Sequence, residues 1–188
     1  MLAAVIPPLA AGHTLPVLLP DMEAADKMAE VYLCLLANFN SFIFDYTARQ
    51  KMQSPHLTLY ILEQLPVIPP ARYAEALGTG TVGDFVRKNA LALTYTAQDL
   101  EPFARALGYE GPPFGWDEED RRHRRARLDA LYFMLYGLTD DEVTHVLEAF
   151  PIVRQKDEAQ FGRYRTLDLI LGYLRALRAG DTETTVRG

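Results

Sequence analysis

The spacing of apolar residues in the first quarter of the chain predicts two consecutive helices. Between Met28 and Phe39, apolar side chains recur three or four positions apart, as they do on one face of a helix. Asp21 precedes this segment and is suited to cap its N-terminus. The turn "NFNS" then ends the first helix, and Asn40 or Ser41 is placed to cap a second one.

Extended structure is expected on both sides of this helical pair. The N-terminal "MLAAVIPPLAAGHTLPVLLP" is apolar but interrupted by prolines, which favours two short strands at a sheet edge. It lacks the basic start of a secretory signal, and it has no apolar run long enough to span a bilayer. The segment "HLTLYILEQLPVIPP" alternates in polarity and favours a strand, although "LYILEQL" leaves a helical turn possible. A chain that begins abruptly in a strand suggests a fragment of a longer protein.

The remainder of the chain is predicted to be helical. Helical pieces are expected after residue 71, broken at Gly78, Gly80 and Gly83, with Thr96 and Gly108 bounding a later helix. The charged segment "EEDRRHRRARLDALYFMLYGL" should form one helix with an apolar stripe in its second half. The next helix, "TDDEVTHVLEAF", should be capped by Thr139 or Asp140, and "LDLILGYLRALRA" should form the last helix.

These elements predict an α+β fold that is predominantly helical. We expect a small strand-containing part with two helices at residues 1–70, a helical C-terminal lobe at residues 71–180, and a flexible tail at residues 181–188. The apolar fraction of 49% and the charged fraction of 23% are ordinary for a soluble globular protein. The single cysteine, Cys34, lies in an apolar run and is expected to be a buried core residue in a reduced, cytoplasmic protein.

Nothing in the sequence indicates an enzyme. The phosphate-binding loop, the nucleophile elbow and the zinc-protease motif are all missing from the sequence. The four histidines are scattered, so neither a metal site nor a bound cofactor is expected. The acidic groups "WDEED" and "TDDE" stand at predicted helix starts, where they interact favourably with the helix dipole.

Three basic segments could contact a polyanion, although the net charge of −6 excludes a uniformly basic surface. In "TARQKMQSPH" the cations also suit a helix C-terminus. In "RRHRRAR", pairs such as Asp117–Arg121 and Glu118–Arg122 favour a solvated, salt-bridged helix face. In "FPIVRQKDEAQFGRYRTLD", Pro151 should end a helix, and Thr166 should cap the next one.

Four longer segments carry a family resemblance. They are "LLANFNSFIFDYTARQKMQSPHLTLYILEQLPVIPP", "LALTYTAQDLEPFARALGYEGPPFGWDEEDR", "LDALYFMLYGLTDDEV" and "FPIVRQKDEAQFGRYRT". In this order they resemble the C-terminal specificity region of large adenine-N6 DNA methyltransferases of restriction–modification systems, of the type IIG-like and phage-defence kinds. The chain departs from that pattern at Arg163, where the family carries an acid, and at Leu167 and Asp168, where it carries basic residues.

The resemblance implies a non-catalytic DNA target-recognition or clamp fragment. The family's S-adenosylmethionine site and NPPF/Y motif lie in a catalytic domain that this sequence does not contain, so the cofactor would belong to the parent protein. The implied partners are double-stranded DNA, bound weakly by the fragment alone, and that catalytic domain, with no membrane. The alternative is a structural module that docks on a methyltransferase or restriction partner without reading DNA.

Candidate DNA-binding residues follow from the resemblance and from the basic segments. Side chains that could reach base edges stand in "RQKMQSPH", and phosphate anchors stand before the last helix, where Arg163 and Arg165 are expected to be displayed at its N-terminus. The full set is Arg49, Gln50, Lys51, Gln53, His56, Arg163 and Arg165.

Overall fold

The computed structural model describes residues 3–7, 17, 25–52 and 57–187, and this part of the chain is predominantly helical. Its strands form one short antiparallel hairpin in which Ala76 pairs with Thr81 and Leu77 with Gly80. A 3₁₀ turn spans Gln98–Leu100. The elements are α1 (Ala25–Phe39), α2 (Phe42–Lys51), α3 (Leu59–Leu62), α4 (Pro70–Tyr73), β1 (Ala76–Leu77), β2 (Gly80–Thr81), α5 (Val82–Thr94), α6 (Glu101–Ala106), α7 (Glu118–Leu135), α8 (Asp140–Glu148), α9 (Pro151–Phe161) and α10 (Arg165–Arg178).

Several helix boundaries are fixed by side-chain caps. Ser41 caps α2 by accepting a hydrogen bond from the backbone N–H of Phe44, which confirms the predicted cap. Thr139 and Glu142 form a reciprocal capping box at the start of α8, also as predicted. Asp21, the predicted cap of α1, lies outside the described residues.

Helix α7 is the centre of the core. Residues 130–133 are all buried, because α7 packs between α5 and α10 and also contacts α2. The main cluster of buried residues runs from Ala29 in α1 to Leu177 in α10. Cys34 belongs to this cluster, as expected, and burial raises the pKa of its thiol to about 12, with a further contribution from Glu30.

The buried face of α1 differs from the predicted apolar stripe. Val31, which belongs to the helical spacing of apolar residues between Met28 and Phe39, is exposed, whereas Ala29, Leu33 and Ala37 are buried. Because alanines allow close approach, this face packs against α5. The buried face of α1 therefore combines small residues with Leu33, and Val31 lies outside it.

The strands expected near the N-terminus are not found in the described residues. Residues 59–62 form the short helix α3, not a strand, because Thr58 caps it by accepting a hydrogen bond from the N–H of Ile61. The hairpin lies instead at residues 76–81, where helical breaks were expected. Gly83 is inside α5 and does not interrupt it. Residues 3–7 carry no strand, and "AGHT" lies outside the described residues.

The segment from Phe150 to Asp168 is more helical than predicted. Pro151 begins α9 at the first helical position, where its missing N–H has no cost, so the mixed-charge stretch after it is a helix. Gly162 ends α9 in the left-handed conformation, with φ of 72°. Thr166 is not the cap of α10, and its backbone N–H donates to Oδ2 of Asp157 in α9.

The residues after α10 lie against the helical body. Nζ of Lys88 in α5 is 2.7 Å from a carboxylate oxygen of Glu183, and Arg127 in α7 donates to the carbonyl of Thr184. None of the helices in the described ranges has the length and apolar character needed to cross a lipid bilayer.

Candidate nucleic-acid interface

The last turn of α2 presents three of the candidate DNA-binding residues. Arg49, Gln50 and Lys51 are all exposed. The side chain of Arg49 is 56% exposed even though it donates to Asp45 at 2.9 Å. Its guanidinium also lies 4.8 Å from the ring centroid of Phe150, which holds it toward the start of α9. Gln53 and His56 lie outside the described residues.

The two predicted phosphate anchors stand in different environments. Arg163 follows the Gly162 turn and is 53% exposed, with its Nε 3.7 Å from the carboxylate of Asp168. Arg165 is only 13% exposed, because it forms an ion pair with Glu119 and packs over the ring of Phe161. The structure therefore displays Arg163 to solvent and holds Arg165 against the start of α7.

Glu119 joins α7 to the turn before α10. Its carboxylate pairs with Arg165, accepts a hydrogen bond from Arg122 at 2.7 Å, and lies 3.3 Å from Nε2 of His123. The ring of Phe161 lies near both arginines, with each guanidinium carbon 4.7 Å from its centroid. Hydrogen bonding to Arg165, then the positive charges of Arg165 and Arg122, hold the pKa of Glu119 below its ordinary value.

The expected neutralisation of "RRHRRAR" is confirmed, although through different pairs. Arg122 pairs with Glu119, and Arg124 lies 2.6 Å from Asp120. Arg125 reaches back to Glu118, also at 2.6 Å. These pairs make most of the segment a salt-bridged helix face.

Arg121 is the exception, and the sequence interpretation missed it. Its residue exposure is 9%, and its guanidinium carbon lies 3.8 Å from the ring centroid of Trp116. Nη2 donates to the carbonyl of Leu93 at 3.2 Å, whereas Nε and Nη1 have no hydrogen-bond partner in the described part of the chain. The signal was present in the sequence, because Arg121 stands two helical turns before Leu128 on the same, buried face.

Arg121 lines a groove of about 740 Å³ whose walls are formed by residues 3–5 and by α1, α2, α5, α7, α9 and α10. This volume is within the range of small-molecule sites, roughly 300–1,000 Å³. We call this feature the Arg121 groove. Its charged lining residues are Glu118, Arg121, Arg122, Arg125, Asp129, Lys156 and Asp157.

Two of these acids serve as helix caps. Asp129 accepts a hydrogen bond from the N–H of Phe42 at the start of α2, and Asp157 does the same for Thr166 at the start of α10. Burial raises the pKa of Asp129 to about 7, against the opposing effects of the Phe42 hydrogen bond and the charge of Arg125. No cluster of His, Cys, Asp and Glu suited to a metal ion occurs among residues 25–52 and 57–187.

Comparison with known proteins gives no match: no family model, no curated protein and no solved structure is significantly similar to this chain.

Proposed function

We propose that this chain is a non-catalytic module that recognises or clamps target DNA for an adenine-specific DNA methyltransferase of a restriction–modification system in the cytoplasm. The observation that supports it best is the exposed cluster Arg49, Gln50 and Lys51 at the end of α2. These side chains carry the donors and acceptors needed at base edges or phosphates, and they stand in the segment with the most specific resemblance to such methyltransferases.

The candidate residues take different roles in this proposal. Arg49, Gln50 and Lys51, with Gln53 and His56 next to them in the sequence, contact base edges. Arg163 contacts a backbone phosphate directly, because its side chain is exposed and its carboxylate neighbour is 3.7 Å away. Arg165 contacts a phosphate only after exchanging the carboxylate of Glu119 for it.

The charge distribution sets the strength of binding. The chain carries a net charge of −6, and most described arginines are paired with carboxylates, so few cations are available to displace counterions from DNA. Binding by the module alone is therefore weak and strongly dependent on salt. The catalytic domain of the parent protein supplies the S-adenosylmethionine site and the remaining DNA contacts.

The proposal is tested by fluorescence anisotropy with a pool of random-sequence duplexes at low salt. The variant Arg49→Ala/Lys51→Ala/Arg163→Ala should weaken binding by roughly tenfold or more, and it should reduce the slope of log K against log salt by up to about three. The matched control is Arg72→Ala/Arg87→Ala/Lys88→Ala, which removes the same charge from exposed positions of α4 and α5. Equal affinities for the two triple variants would contradict the proposal.

One observation favours the alternative, a module that docks on a protein partner. Leu59, Tyr60 and Val67 are large apolar residues that are exposed within a short stretch at and after α3. Contiguous exposed apolar surface is typical of protein interaction sites. In that case Tyr60→Ser should abolish co-purification with the catalytic methyltransferase domain, whereas the Arg49/Lys51/Arg163 variant should leave both co-purification and DNA affinity unchanged.

A further inference from the structure

The Arg121 groove contains a buried cation with unused hydrogen-bonding capacity. Arg121 is 91% buried, given its 9% exposure, yet Nε and Nη1 have no partner within the described ranges. Buried arginines are normally paired or fully hydrogen-bonded, because a desolvated charge without a partner is unfavourable. Nε and Nη1 of Arg121 therefore have donor capacity left for a further partner.

The carboxylates nearby are already engaged elsewhere. Glu118 is paired with Arg125, one turn along α7 from Arg121, and Glu119 is shared by Arg122 and Arg165. Asp129 and Asp157 cap other helices and accept from their backbone N–H groups. No carboxylate in the described part of the chain is within ion-pair distance of Arg121.

A second cation of the groove is also unpaired. Lys156, on the exposed side of α9, lines the same groove and forms no ion pair with any described residue. Burial, and then the repulsion of Arg125, lower the pKa of Arg121 against the opposing attraction of Glu118 and Asp120. An anion with two or more oxygens would supply the missing partner of Arg121, and Lys156 is a second cation that lines the same groove.

Trp116 provides a cover for this position. Its indole lies over the guanidinium of Arg121 at 3.8 Å, while 68% of the residue remains exposed on the segment before α7. Trp116 also hydrogen-bonds to the carboxylate of Glu118, so moving the indole away from Arg121 breaks these two contacts. It is also the only tryptophan of the chain, so its fluorescence reports directly on Arg121.

We propose that the Arg121 groove binds a phosphate group, with Arg121 as the principal donor, Lys156 as the second cation and Trp116 as a movable cover. This site is separate from the exposed residues at the end of α2 and does not depend on the proposed DNA-binding function. The phosphate could come from a free nucleotide or pyrophosphate, or from a nucleic-acid backbone, since both present the same oxygens.

The test is a titration of Trp116 emission with inorganic pyrophosphate in the full chain, with sodium chloride at matched ionic strength as reference. We expect a saturable change with pyrophosphate and none with chloride. Arg121→Met should weaken the response roughly tenfold or more, because hydrogen bonds to charged groups are lost. The control Arg87→Met, at a half-buried arginine of α5 outside the groove, should respond like the wild type. A non-saturable wild-type response, or an Arg121→Met affinity equal to that of the wild type, would overturn the proposal.

A second variant keeps the test decisive if Arg121→Met does not fold. Lys156→Met changes an exposed side chain and should weaken pyrophosphate binding by about threefold. An unchanged affinity would remove Lys156 from the site and contradict the proposed pair.

A competition experiment then identifies the source of the phosphate. Displacement of pyrophosphate by a short DNA duplex would assign the site to a backbone phosphate, whereas displacement by AMP and not by the duplex would assign it to a free nucleotide. Loss of DNA binding in the Arg49→Ala/Lys51→Ala/Arg163→Ala variant should leave the pyrophosphate titration unchanged, so failure of one proposal is distinguishable from failure of the other.

Discussion

The carboxylate of Asp129 in α7 accepts a hydrogen bond of 2.8 Å from the backbone N–H of Phe42, the first residue of α2. A side chain from the central helix thereby satisfies a helix N-terminus to which Ser41 also contributes a cap. The contact links residues far apart in sequence, and it places a carboxyl group in the core, where its charged form is unfavourable.

Asp129 should make stability depend on pH. Burial raises its pKa to about 7 in the folded protein, from an ordinary value of 3.8. Between these two pH values the folded state holds a proton that the unfolded chain has released. The stability that this proton provides is therefore fully present below about pH 4 and is lost as the pH rises through about 7. Asp129→Asn keeps an oxygen acceptor for Phe42 and should increase the free energy of unfolding at pH 8 by about 1–3 kcal/mol.

Urea denaturation at pH 5 and pH 8 checks this expectation. The gain from Asp129→Asn should be smaller at pH 5 than at pH 8, because the wild-type carboxyl is then mostly protonated. Asp141→Asn, at an exposed position in the first turn of α8, is the control: it loses a favourable interaction with the helix dipole and should lower the free energy of unfolding by the same small amount, about 0.3–1 kcal/mol, at both pH values. An equal effect of Asp129→Asn at both pH values would argue that the pKa of Asp129 is close to its ordinary value.

The turn between α9 and α10 depends on one glycine. Gly162 has φ of 72°, and an added Cβ would meet no atom within 4 Å, so the strain of a substitution comes from the backbone alone. Gly162→Ala should lower the free energy of unfolding by about 1 kcal/mol. Gly115 also has open space around it but does not have a positive φ, so Gly115→Ala should be neutral or stabilise by up to about 0.5 kcal/mol. If thermal denaturation gave the same change in stability for Gly162→Ala and Gly115→Ala, the left-handed backbone conformation of Gly162 would not be the cause of the loss.

Local signals in the sequence predicted the elements whose boundaries depend on neighbouring residues. Ser41 and Thr139 were identified because a cap acts on an N–H only two or three positions away. Residues 59–62 were predicted wrongly because the alternation of Leu57, Leu59 and Ile61 fits a strand, while the cap of Thr58 favours a helical turn.

Features that depend on distant contacts could not be predicted in the same way. The buried face of α1 is set by its packing against α5, and the position of Arg165 is set by Glu119 from another helix. Arg121 has no carboxylate partner because the neighbouring acids pair with Arg122 and Arg125. Which arginine each acid pairs with depends on the tertiary structure. Seven-residue spacing from Leu128 was the one local signal for its burial.

Two threonines test the difference between a predicted and an observed cap. Thr139 accepts from the N–H of Glu142, whereas Thr96, which was expected to be a cap, precedes the actual cap position, Ala97. Thr139→Ala should lower the free energy of unfolding by about 1 kcal/mol, and Thr96→Ala should change it by less than about 0.5 kcal/mol. Chemical denaturation of both variants checks this. A larger loss in the free energy of unfolding for Thr96→Ala than for Thr139→Ala would contradict the observed positions of the two caps.

Glu119 offers a direct test of Arg165 as a phosphate anchor. Glu119→Gln removes the negative charge that holds Arg165, and it should lower stability by roughly 1 kcal/mol because the carboxylate is half exposed. If Arg165 can then contact DNA, affinity at low salt should rise severalfold, and adding Arg165→Ala should reverse the gain. Glu118→Gln removes the same charge one residue away, from the pair with Arg125, and is the matched control. An equal gain in anisotropy titrations for the two single variants would show a general effect of net charge and would remove Arg165 from the interface.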